Sequence, residues 1–240
     1  MKKPPFPAPT RRIGHEMLDS PQIVAADIPD NLREIRRLNA WFGAERPLKS
    51  HLTRLLGKRF SASVVDVATG SADLPLALFR WGVERKIRLN IVASDVSPII
   101  LREAELCVGR FPIQLVETDA RSLPWRNQSF DIAICSLALH HFDGIDAVLV
   151  LREMWRVCRV AVIVVDLYRS YLAYVGTWLA THVLCRNQLT RADGPLSVLR
   201  AYQPHELKLL AGAAGLRGID TYIHPFFRQS LVALKGASYG

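Results

Sequence analysis

Three aspartates close three successive apolar runs of this chain. Asp66 ends "VVD", Asp95 ends "NIVASD" and Asp119 ends "IQLVETD". Continuous apolar runs of this kind read as strands buried on both faces, and a carboxylate at the end of one faces the crevice where such sheets hold ligands. After the second strand it is placed to accept from a ribose diol; after the third it suits an exocyclic amino group of adenine. The competing reading makes each acid a helix cap or a turn former. A fourth run, "SFDIAICSLAL", leads into the adjoining His140 and His141. An imidazole of near-neutral pKa suits the removal of a proton from a hydroxyl group. The alternative is that the pair only shapes a pocket.

The turn after Asp66 sharpens the ligand. It reads "ATGSA", with Ala68, Thr69, Gly70, Ser71 and Ala72 where a dinucleotide-binding turn would often carry three glycines. Glycines there let a pyrophosphate rest on backbone N–H groups. Their thinning argues against a pyrophosphate. Alanine is tolerable at 68 and 72 where φ stays negative, and costs about 1–2 kcal/mol in the left-handed region. Gly70 is expected at positive φ or at the closest approach to the ligand.

The elements that must hold these residues follow from hydrophobic periodicity. Residues 1–29 form a Pro-rich arm, expected to be flexible or extended, and 30–60 a helical cap with apolar positions at helical spacing. From residue 61 to 240, short β-branched runs alternate with helices, the pattern of a doubly wound, mostly parallel α/β sheet covered on both faces. Two closing runs, "GIDTYIHPF" and "RQSLVALKG", read as an antiparallel finish. A helical insertion at about 168–202 and Trp41 and Phe42 of the cap are expected to cover an apolar acceptor. Trp41, Tyr168, Arg169 and His182 are candidates to touch it.

Composition narrows the classes. The 240 residues are 50% hydrophobic and 22% charged, a globular balance for one domain. A net charge of +9 raises anionic partners, but the arginines are scattered, as on a solvated face. The four cysteines have no C-x-x-C pair and no histidine at metal spacing, so reduced thiols, a cytoplasmic setting and metal-independent chemistry are expected. The start lacks the apolar segment of a secretory signal. "SYLAYVGTWLATHVLC" is short for a membrane span, which needs about 20 residues; a lid helix is expected, with membrane-surface contact as the lesser alternative.

Taken together, "VVDVATG", "VASDVS", "ETDARSLPWRNQSFDIAICSLALHHF" and "GLRGIDTYIHPFFRQSLVALKG" resemble the class I S-adenosylmethionine-dependent methyltransferases, nearest their small-molecule and quinone-biosynthesis branch. The resemblance implies a Rossmann-like seven-stranded sheet with the last strand antiparallel. It implies S-adenosylmethionine as cofactor and S-adenosylhomocysteine as product. It also implies that Asp66 and the Ala68–Thr69–Gly70 turn face the methionine part, and that Asp95 holds the ribose with Val96 against the adenine. Asp119 and Ala120 would read the adenine edge, and Ser136 and Leu137 would line the sulfonium end. The expected reaction is methyl transfer to a small hydrophobic or phenolic acceptor, at oxygen, with carbon methylation of a quinone-like ring as the nearest alternative. A nucleic-acid methyltransferase is disfavoured by the absence of N/D-P-P-Y and Pro-Cys motifs; a non-catalytic S-adenosylmethionine-binding protein is the remaining alternative.

Overall fold

The structure, a computed structural model, describes residues 7–14, 16–17, 27–57 and 59–236. Two helices, α1 (Ile28–Trp41) and α2 (Glu45–Leu56), precede an alternating series: β1 (Ser61–Val67), α3 (Asp73–Glu84), β2 (Arg88–Asp95), α4 (Pro98–Val108), β3 (Ile113–Glu117), β4 (Phe130–Ser136), α5 (Ile145–Val157) and β5 (Cys158–Leu167). A helical pair, α6 (Tyr171–Leu184) and α7 (Gln188–Arg200), interrupts the series before α8 (Pro204–Ala213), β6 (Ile219–His224) and β7 (Arg228–Leu234).

The strands form one sheet in the order β3-β2-β1-β4-β5-β7-β6. β1 to β5 pair in parallel, and β7 inserts antiparallel between β5 and β6. The antiparallel finish and the Rossmann-like sheet read from the sequence are both present. Val64, Val65 and Val67 of β1 are all fully buried, because the strand is covered on both faces and has no wet side. Val64 joins a core with Leu48, Leu52 and Leu78, beneath α2 and α3; Val65 and Val67 join Leu151, Met154 and Leu207, beneath α5 and α8.

The switch in strand order falls between β1 and β4, where the connections leave β1 one way and β4 the other. A crevice opens there at the carboxyl ends of the strands. Local chemistry fixes the helices that edge it. Ser97, Ser170 and Asn187 cap α4, α6 and α7 through their side chains, and Gln203 with Glu206 forms a capping box on α8. α6 and α7 approach closely at Gly194, where a Cβ would meet Thr181 Cγ2 at 2.7 Å.

The N-terminal arm, expected to be flexible or extended, has no regular secondary structure over residues 7–13 and is docked there. Arg12 N donates to Leu199 O (3.0 Å), Arg11 Nε to Arg200 O (2.7 Å) and Tyr171 N to Pro7 O (3.1 Å). The Arg11 guanidinium pairs with Asp143 at 2.7 Å and lies 3.9 Å over the Tyr202 ring. Met17 N then reaches Asp193 Oδ1 (2.9 Å), which carries the arm across the top of the crevice. Residues 1–6, 15 and 18–26 lie outside the described residues, and Ile28 and Pro29, placed in the arm by the sequence, already belong to α1. Among those described, no helix is long and apolar enough to cross a membrane.

Candidate active site

The turn after β1 is built from alternating left-handed residues. Ala68, Gly70 and Ala72 have φ of 56°, 58° and 56°. Gly70 lies where it was expected, but the alanines do not escape the left-handed region, so each carries about 1–2 kcal/mol of strain. Hydrogen bonds enforce the geometry: Thr69 N donates to Ser94 O (2.8 Å), Gly70 N to Asp95 Oδ2 (3.0 Å) and Ala72 N to Thr69 O (3.2 Å). Ala72 also occupies the N-cap of α3 without a side-chain cap. The first N–H groups of α3 and the positive end of its dipole therefore suit a carboxylate. A Cβ at Gly70 would meet nothing within 4 Å, so the turn stands beside open space.

Asp66 is buried beneath this turn, and burial pushes its carboxyl up to about 7, aided by the charges of Asp73 and Asp95 and opposed by the Thr69 hydroxyl. Asp95, at the end of β2, is also raised by burial, against the N–H groups of Ser97, Gly70 and Val96 and the nearby His141. One of its oxygens accepts from Gly70 N and the other from Ser97 N (3.1 Å). Val96 beside it is 64% exposed, an open apolar face for a flat ring. Asp119 is held below the ordinary carboxylate range by Arg121, whose guanidinium grips both its oxygens at 2.7–3.1 Å. An adenine amino group would share that carboxylate with Arg121. Ala120 is buried behind it. At the end of β4, Ser136 Oγ is buried with no hydrogen-bond partner among the described residues, and Leu137 follows at φ 54°.

Leu137 leads into the neighbouring part of the crevice. A cavity of about 220 Å³ opens there, lined by Leu137, Leu167, Ile35, Leu38, Phe42 and the turn residues Phe226 and Phe227, with His140 and His141 in its wall. His140 is buried; its Nδ1 lies 2.6 Å from Asp166 Oδ1, and its backbone N–H donates to Asp166 Oδ2 at 3.0 Å. With the Nδ1 proton on the Asp166 side, the lone pair on Nε2 faces the cavity. The docked arm delivers Glu16 to this spot. Its buried carboxylate lies 3.6 Å from His140 Nε2 and 3.8 Å from His141 Nε2. Ser197 Oγ donates to the same carboxylate at 2.8 Å, and Arg200 Nη1 is 3.9 Å away.

The ligand atoms of Glu16, His140 and His141 lie within 4.8 Å of one another, a grouping that could hold a metal ion. Chain spacing gave no sign of it, because Glu16 belongs to the arm. The Arg200 guanidinium supplies positive charge to that carboxylate already.

His140 and His141 are thus brought to one cavity, but the four candidate acceptor contacts are not. Trp41 is half-exposed under Arg37, beside Leu184 and Cys185 in a separate crevice. Tyr168 is buried and tied through its backbone N–H to Phe227 O (2.7 Å). Arg169 is spent on Ala201 O (2.9 Å) and Glu206 (2.8 Å). His182 stacks on Trp178 on the outer face of α6. For His182 the reason is helical register: Gly176, Thr177, Ala180 and Thr181 of α6 turn inward, and its bulky aromatic positions turn out. Asp166 repeats the pattern of an acid closing an apolar run, whereas Glu16 carries no local signal.

Residues 65–165 match the family model described as "Methyltransferase domain". A demethylmenaquinone methyltransferase of Deinococcus radiodurans is 38% identical over 96 residues, covering 39% of this chain and 37% of that protein. The ubiquinone/menaquinone biosynthesis C-methyltransferase UbiE of Rickettsia bellii is 25% identical over 122 residues, covering 49% and 48%. The chain spans less than half the length of these two curated relatives. Among solved structures, a SAM-dependent methyltransferase from Aquifex aeolicus superposes with a TM-score of 0.61 at 17% identity, over 87% of this chain and 98% of that one. Human N-acetylserotonin methyltransferase, in complex with SAM, gives 0.62 at 14% identity over 89% and 57%. At these identities the structures establish a shared fold.

Proposed function

Because the chain carries a class I S-adenosylmethionine-dependent methyltransferase domain, we propose that it transfers a methyl group to a small hydrophobic, phenolic or quinol-like acceptor held in the apolar cavity. The residues fit the cofactor. The turn at 68–72 leaves open space beside Gly70, Asp95 offers its carboxylate where a ribose would lie, and Ser136 Oγ, without a partner among the described residues, would line the sulfonium end.

The cofactor supplies an already activated methyl group; the chain must align the acceptor and manage its proton. The observation that carries the reading is His140, oriented by Asp166 and facing an apolar cavity. Asp166 fixes the imidazole tautomer, so Nε2 takes the hydroxyl proton of the acceptor. Glu16, beside that nitrogen, stabilises the imidazolium so formed. The deprotonated oxygen, or a ring carbon conjugated with it, then lies in line for displacement.

Oxygen is the atom expected from the sequence. Carbon methylation is the second reading, and the printed names of the curated relatives favour it. Incubation with methyl-labelled S-adenosylmethionine against phenols, quinols and fatty or polyketide-like acids tests the proposal. Label in an organic-extractable product supports it, and the carbon or oxygen position in that product separates the two readings. S-adenosylhomocysteine binding without transfer to any of these acceptors would instead support a non-catalytic binding protein.

A further inference from the structure

Among the described residues, Arg228 is a guanidinium of the cavity wall with no hydrogen-bond or ion-pair partner. It opens β7 opposite Leu167 of β5, at the same end of the sheet as His140 and Asp166. It is only 5% exposed. Its guanidinium makes no hydrogen bond or ion pair with any described residue, and its Nε is fully enclosed without a partner. It lines the acceptor cavity together with Leu167, Phe42, Phe226 and Phe227. Asp166, Glu45 and Asp73 act on it only through their charge at a distance, and burial pulls it down to about 10.

A buried cation without a partner is among the most destabilising arrangements in a protein interior. The other buried guanidinium groups beside this site are answered: Arg169 by Glu206 and Ala201 O, and Arg200 by His141 O with Glu16 nearby. Arginine is also suited to this task, since its planar fork matches a carboxylate and it remains charged at neutral pH. We propose that Arg228 is the acceptor's anion-binding residue, so that the acceptor is an amphiphilic acid: an apolar or aromatic body against Ile35, Leu38 and the phenylalanines, with one carboxylate or comparably acidic oxygen group on Arg228. Placing this ligand as the methyl acceptor rests on the function proposed above. The anion site itself does not. The carboxylate of the cofactor's methionine end shares the same chemistry and is the other source to be distinguished.

The test uses the full chain and needs no turnover. 4-Butylbenzoate and 4-butylbenzyl alcohol, which share an apolar body and differ in charge, are titrated calorimetrically in the presence of saturating S-adenosylhomocysteine. The expected result is at least tenfold tighter binding of the benzoate. Arg228→Met is expected to abolish that preference and Arg228→Lys to restore part of it, with S-adenosylhomocysteine affinity unchanged. Removing an unanswered buried charge is also expected to leave the melting temperature of Arg228→Met equal to or above that of the parent. A structural arginine would give the opposite. Equal binding of acid and alcohol overturns the proposal. So does a Met variant that melts lower while keeping the preference, and so does loss of S-adenosylhomocysteine affinity in that variant, which assigns Arg228 to the cofactor. Should S-adenosylhomocysteine fail to bind the parent chain at all, the methyltransferase reading falls first, and the benzoate preference is then read without it.

Discussion

The two halves of the crevice handle buried charge in different ways. On the proposed cofactor side, around β1 and β2, Asp95 is answered by local backbone: it accepts from the N–H groups of Gly70 and Ser97, within one turn and its neighbouring strand. On the acceptor side, around β4, β5 and β7, charges are answered by side chains from remote segments. Glu16 of the arm meets His140, His141 and Arg200, while Arg228 has no hydrogen-bond or ion-pair partner among the described residues. A site made of local turns is rigid before any ligand arrives. One assembled from an arm, a helical pair and a strand end depends on tertiary packing, and it is there that specificity is set.

The largest effect expected from breaking one half alone is on the acceptor side. His140→Ala should lower kcat by about 10²–10⁴, the usual worth of a positioned general base, while S-adenosylhomocysteine affinity stays within about threefold. A loss shared by both quantities, measured by stopped assays and calorimetry, would show that the halves are not separable.

A smaller effect concerns pH on the cofactor side. Asp66 titrates near 7 because it is buried. A ligand with a cationic amino-acid end and a sulfonium favours its carboxylate form, so S-adenosylmethionine binding should strengthen several-fold as pH rises from about 6 to 8. Stability moves the other way. A raised carboxyl contributes most below its ordinary value of 3.8, and that contribution is lost as pH climbs through about 7. Asp66→Asn should flatten both trends; a variant that keeps the parent's pH dependence would assign it to another group.

How far the sequence revealed the site follows the same division. The strand-ending acids, the turn and the histidine pair were legible because strand patterning and chain order place them at one edge of the sheet. The left-handed φ of Ala68 and Ala72 was not, since alanine gives no signal for a conformation imposed by Ser94 O and Asp95. Glu16 was hidden because its position depends on contacts with Leu199, Arg200 and Asp193, far along the chain. Nothing in the strand pattern around Arg228 tells that its guanidinium is enclosed. His182 and Trp41 misled because aromatic character marks an apolar surface without saying which face of a helix is inward.

The smallest effect sharpens the local half. Ala68→Gly removes about 1–2 kcal/mol of strain and returns about 0.4–1 kcal/mol of unfolded-state entropy. The melting temperature should rise by up to a few degrees, with S-adenosylhomocysteine affinity little altered. A lower melting temperature would show that the Ala68 methyl packs favourably enough to outweigh its strain.

Calorimetric titration of S-adenosylhomocysteine into the parent chain and Asp95→Ala tests the central claim most directly. Saturable one-site binding to the parent, weakened at least tenfold in the variant, is the predicted result. Absence of binding to the parent, or equal affinity in the two, would contradict the assignment of the β1–β2 edge as the adenosyl site.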